Sequence, residues 1–167
     1  DLKLSRGLGD VYKRQSRTSS SVDVTLATEH GLELSRIGLD KLRFHLHGEI
    51  HITRILFLWI FRYLDYVELD VGGGYKRKLG PEFVKPVGYQ DDEAILPYSD
   101  NSFAGYRLLQ EYFSLPDKFM FFDITGLDWL KGIPQRSTVN LKFHFKRALP
   151  AEVVLKDKHL RLSLIHI

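Results

Sequence analysis

The sequence predicts an α+β fold in which a mostly antiparallel or mixed sheet packs with two helices. Several short segments alternate apolar and polar residues, as half-buried strands do. Two longer segments are apolar at helical spacing or around most of their circumference. Strands and helices in this order are typical of α+β proteins. The chain has 167 residues, of which 44% are hydrophobic and 27% charged, so one domain with a real core is expected.

The first half of the chain predicts two strands and then a helix. Val22 to Ala27 and Leu39 to Gly48 alternate with period two. From Ile52 onward the alternation stops, and the apolar run is long enough for a helix over about 52–65. Charged residues interrupt this run, so we expect a buried helix packed on several sides rather than a membrane span. Strand alternation returns at Tyr66 to Val71.

The second half predicts a loop, a helix and strands. Gly72 to Pro86 is rich in Gly, Lys and Pro and is expected to be a loop. A second helix is predicted over about 102–113, with Asp100 or Ser102 as its cap and Pro116 as its stop. Strands are then predicted over Lys118–Thr125, Thr138–Lys146 and, shorter, Val153–Leu155.

The two ends of the chain are related to each other as DNA. Asp10–Gln15 reads DVYKRQ and Leu162–Ile167 reads LSLIHI, and the two strings are encodable by reverse-complementary DNA. An adapter joined to both ends of an insert produces this relation, and the string matches a transposon end used in sequencing libraries. We therefore expect residues 1–15 to be adapter-derived or unassignable and disordered, 16–161 to be an internal fragment of a longer protein, and 162–167 to be an adapter-derived tail.

This interpretation changes the charge balance. The net charge is +3, but residues 1–15 contribute four cations and two carboxylates, which leaves +1 for 16–161. The basic isoelectric point therefore gives little support for nucleic-acid binding. The chain has no cysteine, which excludes disulfides, thiolate metal ligands and a cysteine nucleophile.

One long stretch carries a family resemblance. Gly88 to Asp128 reads GYQDDEAILPYSDNSFAGYRLLQEYFSLPDKFMFFDITGLD, and LSRIGLDKLRFHLHGE and NLKFHFKRALP flank it. Together they resemble the TssF family, also called ImpG or VasA, of type VI secretion baseplate subunits. The matching signature positions are Glu93, Pro97, Tyr98, Phe103, Gly105, Tyr106, Arg107, Leu108, Gln110, Glu111, Tyr112, Phe113, Pro116, Lys118, Phe119, Phe121 and Phe122.

The resemblance implies a structural role in the baseplate wedge of a contractile, phage-tail-like apparatus. It implies a cytoplasmic protein that binds TssG, TssK, TssE and other TssF copies, without enzymatic activity, cofactor, nucleic acid or membrane insertion. We expect the aromatic face of the second helix (Phe103, Tyr106, Leu109, Tyr112, Phe113) to pack on the bulky strand Phe119–Phe122. We expect Arg107 and Glu111 to form a weak surface ion pair.

Reactive chemistry is weakly indicated elsewhere. His45, His47, Glu49 and His51 alternate and could share a face as metal ligands, but Gly48 is expected to break the strand. Gly72–Lys76 lacks the spacing of a phosphate loop, and Asp91–Glu93 lacks that of a calcium loop, which favours a solvated turn. The sequence also has no Gly-x-Ser-x-Gly elbow.

A second hypothesis is kept beside the structural one. In it the chain is a carbohydrate- or protein-binding α+β module whose groove is lined by four tyrosines. These are Tyr66, Tyr75, Tyr89 and Tyr98.

Overall fold

A computed structural model describes residues 9–15, 19–28, 33, 35, 39–97, 103–133 and 137–163. Within these ranges the strands form two antiparallel sheets, one of five strands and one of four. In spatial order, the five-stranded sheet contains β1 (Gly9–Gln15), β2 (Ser20–Ala27), β8 (Thr138–Phe145), β4 (Leu64–Asp70) and β5 (Lys76–Leu79). The four-stranded sheet contains β6 (Val84–Pro86), β7 (Phe121–Ile124), β3 (Leu42–Leu46) and β9 (Leu160–Ser163).

The inner faces of the two sheets meet in one hydrophobic core. Phe44 of β3 stacks on Phe122 of β7 with ring centroids 5.4 Å apart. Both rings meet the edge of Phe143 on β8, at 6.5 and 6.3 Å. The three side chains are almost completely buried, so this cluster joins the four-stranded sheet to the five-stranded one. The period-two alternation of these strands is the pattern of half-buried strands, and their apolar residues are buried.

Helix α1 (Ile50–Leu58) lies between β3 and β4 in the chain and continues into a π-helical turn, Trp59–Tyr63. Ile52 and Leu56 of α1 and Ile60 of the π-helical turn belong to the core. The predicted helix and its packing on several sides are confirmed, because the partly buried Ile55, Phe57 and Phe61 pack against the core beside the buried residues, while Leu58 is 47% exposed. Helix α2 (Ala104–Ser114) follows β6 along the chain. Short 3-10 turns cover Pro81–Phe83, Asp91–Glu93, Pro116–Met120, Asp128–Gly132 and Asp157–His159.

Three predicted elements differ from the structure. The predicted loop 72–86 contains β5, whose basic sequence KRKL carries no apolar alternation but pairs with β4 through its backbone. The predicted strand over 118–125 begins only at Phe121, because a 3-10 turn that starts at Pro116 occupies the preceding residues. The predicted strand over 153–155 is absent, and the last described strand is β9 instead.

Described strands extend into both of the predicted terminal segments. Residues 9–15 form β1, which pairs antiparallel with β2, and β9 extends to Ser163. The sequence analysis expects 1–15 to be disordered, and the part of this segment that the structure describes, 9–15, is strand β1. An edge strand needs only backbone N–H and C=O groups to join a sheet, so an arbitrary polar sequence is compatible with it. The adapter origin of the ends concerns DNA and stays a prediction.

Gly48 is expected to tolerate no side chain. Its φ is +116°, and a Cβ there would lie 2.7 Å from Cδ2 of His159. The buried His159 ring cannot retreat easily, because Lys156 N donates to its Nδ1 at 3.0 Å and its Nε2 donates to Glu49 at 2.7 Å.

We expect Gly48→Ala to lower the free energy of unfolding by about 2–3 kcal/mol, from backbone strain and overpacking together. Gly74→Ala is the matched control, since Gly74 also has positive φ (+86°) but no atom within 4 Å of the added Cβ. Urea denaturation of both variants separates the two contributions, because Gly74→Ala introduces only backbone strain and Gly48→Ala adds the steric clash with His159. Equal losses would contradict the clash at His159.

Candidate functional site

Helix α2 carries the middle of the long motif and turns its charged side inward. Arg107 and Glu111, one turn apart, are 2% and 0% exposed. The aromatic side faces solvent, with Phe103, Tyr106 and Phe113 exposed by 74%, 71% and 76%. A surface helix usually buries its apolar stripe and exposes its charges, and α2 does the reverse. This inversion is the feature of the described structure that most needs a functional reason.

Arg107 fastens the helix to the acidic turn before it. Its Nη2 donates to Asp91 Oδ1 at 2.9 Å, and its Nη1 donates to the carbonyl oxygens of Gln90 and Asp91 at 3.3 and 3.4 Å. The guanidinium fork thus holds both side-chain and backbone acceptors of a single turn. The Arg107 side chain is 1% exposed while that of Asp91 is 76% exposed, so the pair reaches from the interior to the surface.

Glu111 fastens the same helix on a second side. Its Oε1 accepts hydrogen bonds from the backbone N–H groups of Ile95 and Leu96 at 2.7 and 2.9 Å. Its Oε2 accepts a hydrogen bond from Nζ of Lys118, which is 8% exposed. Burial raises the pKa of the carboxyl, but the bonds from Lys118, Leu96 and Ile95 together lower it to about 2. Glu111 is therefore a buried carboxylate with both oxygens used.

Glu93 shapes the acidic turn itself. Its Oε2 accepts from the N–H groups of Gly88 and Gln90 at 2.7 and 3.1 Å, which closes a capping box around Asp91–Glu93. Asp91 and Glu93 are engaged in bonds within the chain, but the Asp91 side chain is 76% exposed, so the turn is solvated as the sequence predicts. Asp92, between them, is exposed.

We call the exposed apolar side of α2 the aromatic ridge. It consists of Phe103, Tyr106, Leu109, Tyr112 and Phe113. Phe103 and Tyr106 meet edge to face at 6.1 Å. Tyr112 lies 5.7 Å from Phe113 and 5.9 Å from the buried Phe119, which joins one side of the ridge to the interior.

The packing predicted for this helix is wrong. Of the three phenylalanines expected to receive the aromatic face, only Phe119 meets it, through Tyr112. Phe121 stacks on His45 at 4.2 Å, and Phe122 lies in the core. The predicted surface ion pair between Arg107 and Glu111 is also wrong, because both groups are buried and bind other partners. Helical spacing identifies an apolar face but does not say which molecule covers it.

An open cleft of about 770 Å³ lies beside the C-terminal end of α2. Phe121 and His45 contribute to its wall, together with Ile95 and Leu115. The cations that line it, Arg43 and Lys118, are held by Asp123 at 2.6 and 2.7 Å and by Glu111. Asp92 and Asp117 also line it, and both are exposed.

The family model for "Type VI secretion system, TssF" matches residues 4–166. The chain belongs to the TssF family. TssF1, a type VI secretion system component of Pseudomonas aeruginosa strain PAO1, is 29% identical over 122 residues, which cover 72% of this chain. The chain spans 20% of the length of that relative. The family assignment confirms the resemblance seen in the sequence.

A solved structure related to the TssF family has the same fold. One chain of the TssK-TssF-TssG baseplate subcomplex, determined by cryo-electron microscopy, superposes with a TM-score of 0.77 at 24% identity. The match covers 93% of the present chain and 29% of that chain. At this identity the likeness establishes the fold alone.

The TssF signature residues fall into three structural groups. Arg107, Glu111, Glu93 and Lys118 form the clamps around α2, and four of the eight aromatic ones form the ridge. Phe119 and Phe122 are buried, and Phe121 is partly buried. Among the remainder, Gly105 and Leu108 are partly buried, Pro97, Gln110 and Pro116 are exposed, and Tyr98 lies outside the described residues, as do the predicted caps Asp100 and Ser102. Sequence reasoning missed the clamps: two opposite charges one turn apart in an otherwise uncharged helix were visible, but not that they face inward.

The other candidate motifs do not converge on a site in this TssF-family chain. His45 and His47 lie 5.7 Å apart between ring centroids, while Glu49 binds Lys158 and His159. Among the described residues, no cluster of three or more His, Asp or Glu side chains is placed to hold a metal ion. Over the same residues, no helix has the length and apolar content required to span a bilayer.

The tyrosine groove of the second hypothesis gains no support either. Tyr66 stacks on His144 at 4.4 Å, on the five-stranded sheet. Tyr75 lies at the turn between β4 and β5. Tyr89 packs against Phe119 at 5.1 Å, beside α2. The three described tyrosines therefore have different surroundings, and the fourth lies outside the described residues.

Proposed function

We propose that this chain is a structural part of a type VI secretion baseplate that holds neighbouring subunits together, with TssG and TssK as partners. Membership of the TssF family and the fold shared with a chain of the TssK-TssF-TssG subcomplex support this role. The role needs packing and not turnover. Contacts with TssE and other TssF copies, and a place in the bacterial cytoplasm at the baseplate, complete the proposal.

The aromatic ridge is the observation that carries the proposal. A large aromatic side chain has roughly 200 Å² of surface, so the ridge exposes on the order of 600 Å². The largest apolar patch on a typical soluble monomer is about 300–600 Å² and is often a functional surface, so the ridge lies at the upper end of this range. Aromatic side chains are also enriched in the centres of protein interfaces.

The clamps give the ridge a fixed orientation. Arg107 holds the turn at 90–91, and Glu111 holds both the backbone at 95–96 and Lys118. A helix that is rigid before binding loses less conformational entropy on association than a mobile one. The buried charges on one side of α2 therefore fix the helix in place, and the exposed rings on its other side form a surface that is ready for assembly.

Truncation of the ridge is expected to weaken assembly. In the full-length protein, Tyr106→Ser together with Phe113→Ser removes two rings of the ridge, and such interface contacts each contribute about 1 kcal/mol or more to binding. We expect the Kd for the TssG or TssK complex to rise at least about 30-fold. Isothermal titration with purified subunits measures it.

Tyr75→Ser provides the control for this experiment. Tyr75 is 46% exposed but lies at the β4–β5 turn, away from the ridge. The Tyr75→Ser variant is expected to bind TssG and TssK with unchanged affinity. Wild-type affinity of the ridge variant for both subunits would contradict the proposed function.

A further inference from the structure

We propose that α2 inserts its aromatic ridge into an apolar groove on a partner subunit whose rim carries Lys and Arg side chains. The inference rests on the proposed function and adds the chemistry of the surface that receives the helix. It follows from three properties of the described residues: the shape of the ridge, its area and the charge around it.

The ridge protrudes and does not form a recess. Tyr106, Leu109 and Phe113 stand at positions i, i+3 and i+7 of α2, so their side chains form one stripe along the helix. Arg107 and Glu111 face the opposite way, into the protein. Anchors at this spacing on an exposed helix fit the helix-in-groove mode of recognition, in which the groove belongs to the partner.

The exposed area meets the lower limit of a specific interface. The ridge offers on the order of 600 Å², and a complementary groove would bury a similar area. The total of about 1,200 Å² is where specific, stable interfaces begin.

The segments that surround the ridge in the sequence are acidic, which favours a partner groove with a cationic rim. Residues 90–97 and 103–118 contain five carboxylates and two cations, a net charge of −3 in a chain whose total charge is +3. Both cations, Arg107 and Lys118, are buried in the clamps. Asp92 and Asp117 remain exposed and line the cleft at the C-terminal end of α2. Lys and Arg side chains on the partner would meet these carboxylates as the ridge enters the groove.

The same charges disfavour a second copy of this chain as the occupant. Two α2 helices packed ridge to ridge would bring two acidic surroundings together, and like charges across an interface oppose association. A basic rim on a different subunit has the complementary sign.

The test is charge reversal in the full-length protein. Asp92→Lys with Asp117→Lys is expected to raise the Kd for the partner that binds the ridge at least about 10-fold at about 50 mM salt. At about 500 mM salt the difference is expected to shrink to about 2-fold, because exposed charges are then screened. Glu152→Lys, a reversal at an exposed site outside residues 90–118, is the control and is expected to change little.

The possible outcomes separate this inference from the proposed function. Loss of affinity in the ridge variant with no effect of the Asp reversals overturns the basic rim and leaves the proposed function intact. No effect of either change overturns both. If light scattering shows that the wild-type protein self-associates and the ridge variant does not, a second copy of the protein covers the ridge, and the inference is overturned. A ridge variant that destabilises the isolated full-length protein without weakening binding to TssG or TssK identifies the rest of the polypeptide as occupant and also overturns it.

Discussion

Replacing Glu111 with Gln is expected to lower the free energy of unfolding by about 3–5 kcal/mol, because it leaves the buried ammonium group of Lys118 without its counter-charge. The amide oxygen of Gln can still accept from Ile95 and Leu96, so backbone hydrogen bonding is largely retained. The loss therefore reports the charge and not the shape of the side chain.

The double variant Glu111→Gln, Lys118→Met provides the control. Methionine removes the stranded charge and keeps much of the stem of Lys118, so part of the lost stability should return. Urea denaturation of the two single variants and the double variant gives the coupling free energy. Strictly additive losses would show that the two side chains do not interact. Hydrogen exchange adds a local readout, since the amides of α2 should lose protection before those of the core strands.

The same carboxylate predicts a dependence on pH. Its pKa falls from the usual 4.5 to about 2 in the folded state. A depressed carboxyl pKa stabilises the folded protein fully above about pH 4.5, and this contribution is lost as the pH falls toward 2. Glu49, whose pKa is also about 2 because of bonds from Lys158 and His159, contributes in the same window. The difference in stability between wild type and Glu111→Gln should therefore narrow below pH 4.5, and a constant difference would contradict the assignment.

Strands with an alternating pattern were predictable because one face of each is buried in its own chain. The prediction of β2, β3, β4 and β8 is confirmed, since the apolar members of each strand lie in the core. β5 was not predictable, because its KRKL sequence joins the sheet through backbone bonds and buries only Leu79. Local pattern therefore identifies elements that carry the core and misses those that only extend a sheet.

The clamps around α2 show a different limit. The spacing of Arg107 and Glu111 predicts that they share a side of the helix, but it does not predict which side is inside. That choice depends on acceptors and donors brought by distant residues, such as the amides at 95 and 96 and the ammonium group of Lys118. An aromatic stripe is a core signal in a monomer and an interface signal in an assembly, and its spacing is the same in both.

Phe122→Ala is the second change with a large expected effect. It should lower the free energy of unfolding by about 3–5 kcal/mol, because it opens a cavity where the two sheets meet. The ring stacks on Phe44 at 5.4 Å and touches the edges of Phe143 and Phe61 at 6.3 and 6.4 Å. It is completely buried, so its removal costs contacts in both sheets and in the helical segment between β3 and β4.

Phe121→Ala is the matched control, since the neighbouring residue points to the opposite face of the same strand. Phe121 is only partly buried and stacks on His45, so its truncation should lower the free energy of unfolding by about 1 kcal/mol. Urea denaturation of the two variants compares the two faces of β7 directly. A loss for Phe121→Ala as large as that for Phe122→Ala would mean that the outer face of this sheet is also a packed core, with the cleft beside α2 closed. A large difference instead places the stabilising contacts of β7 on its inner face, in the core between the two sheets.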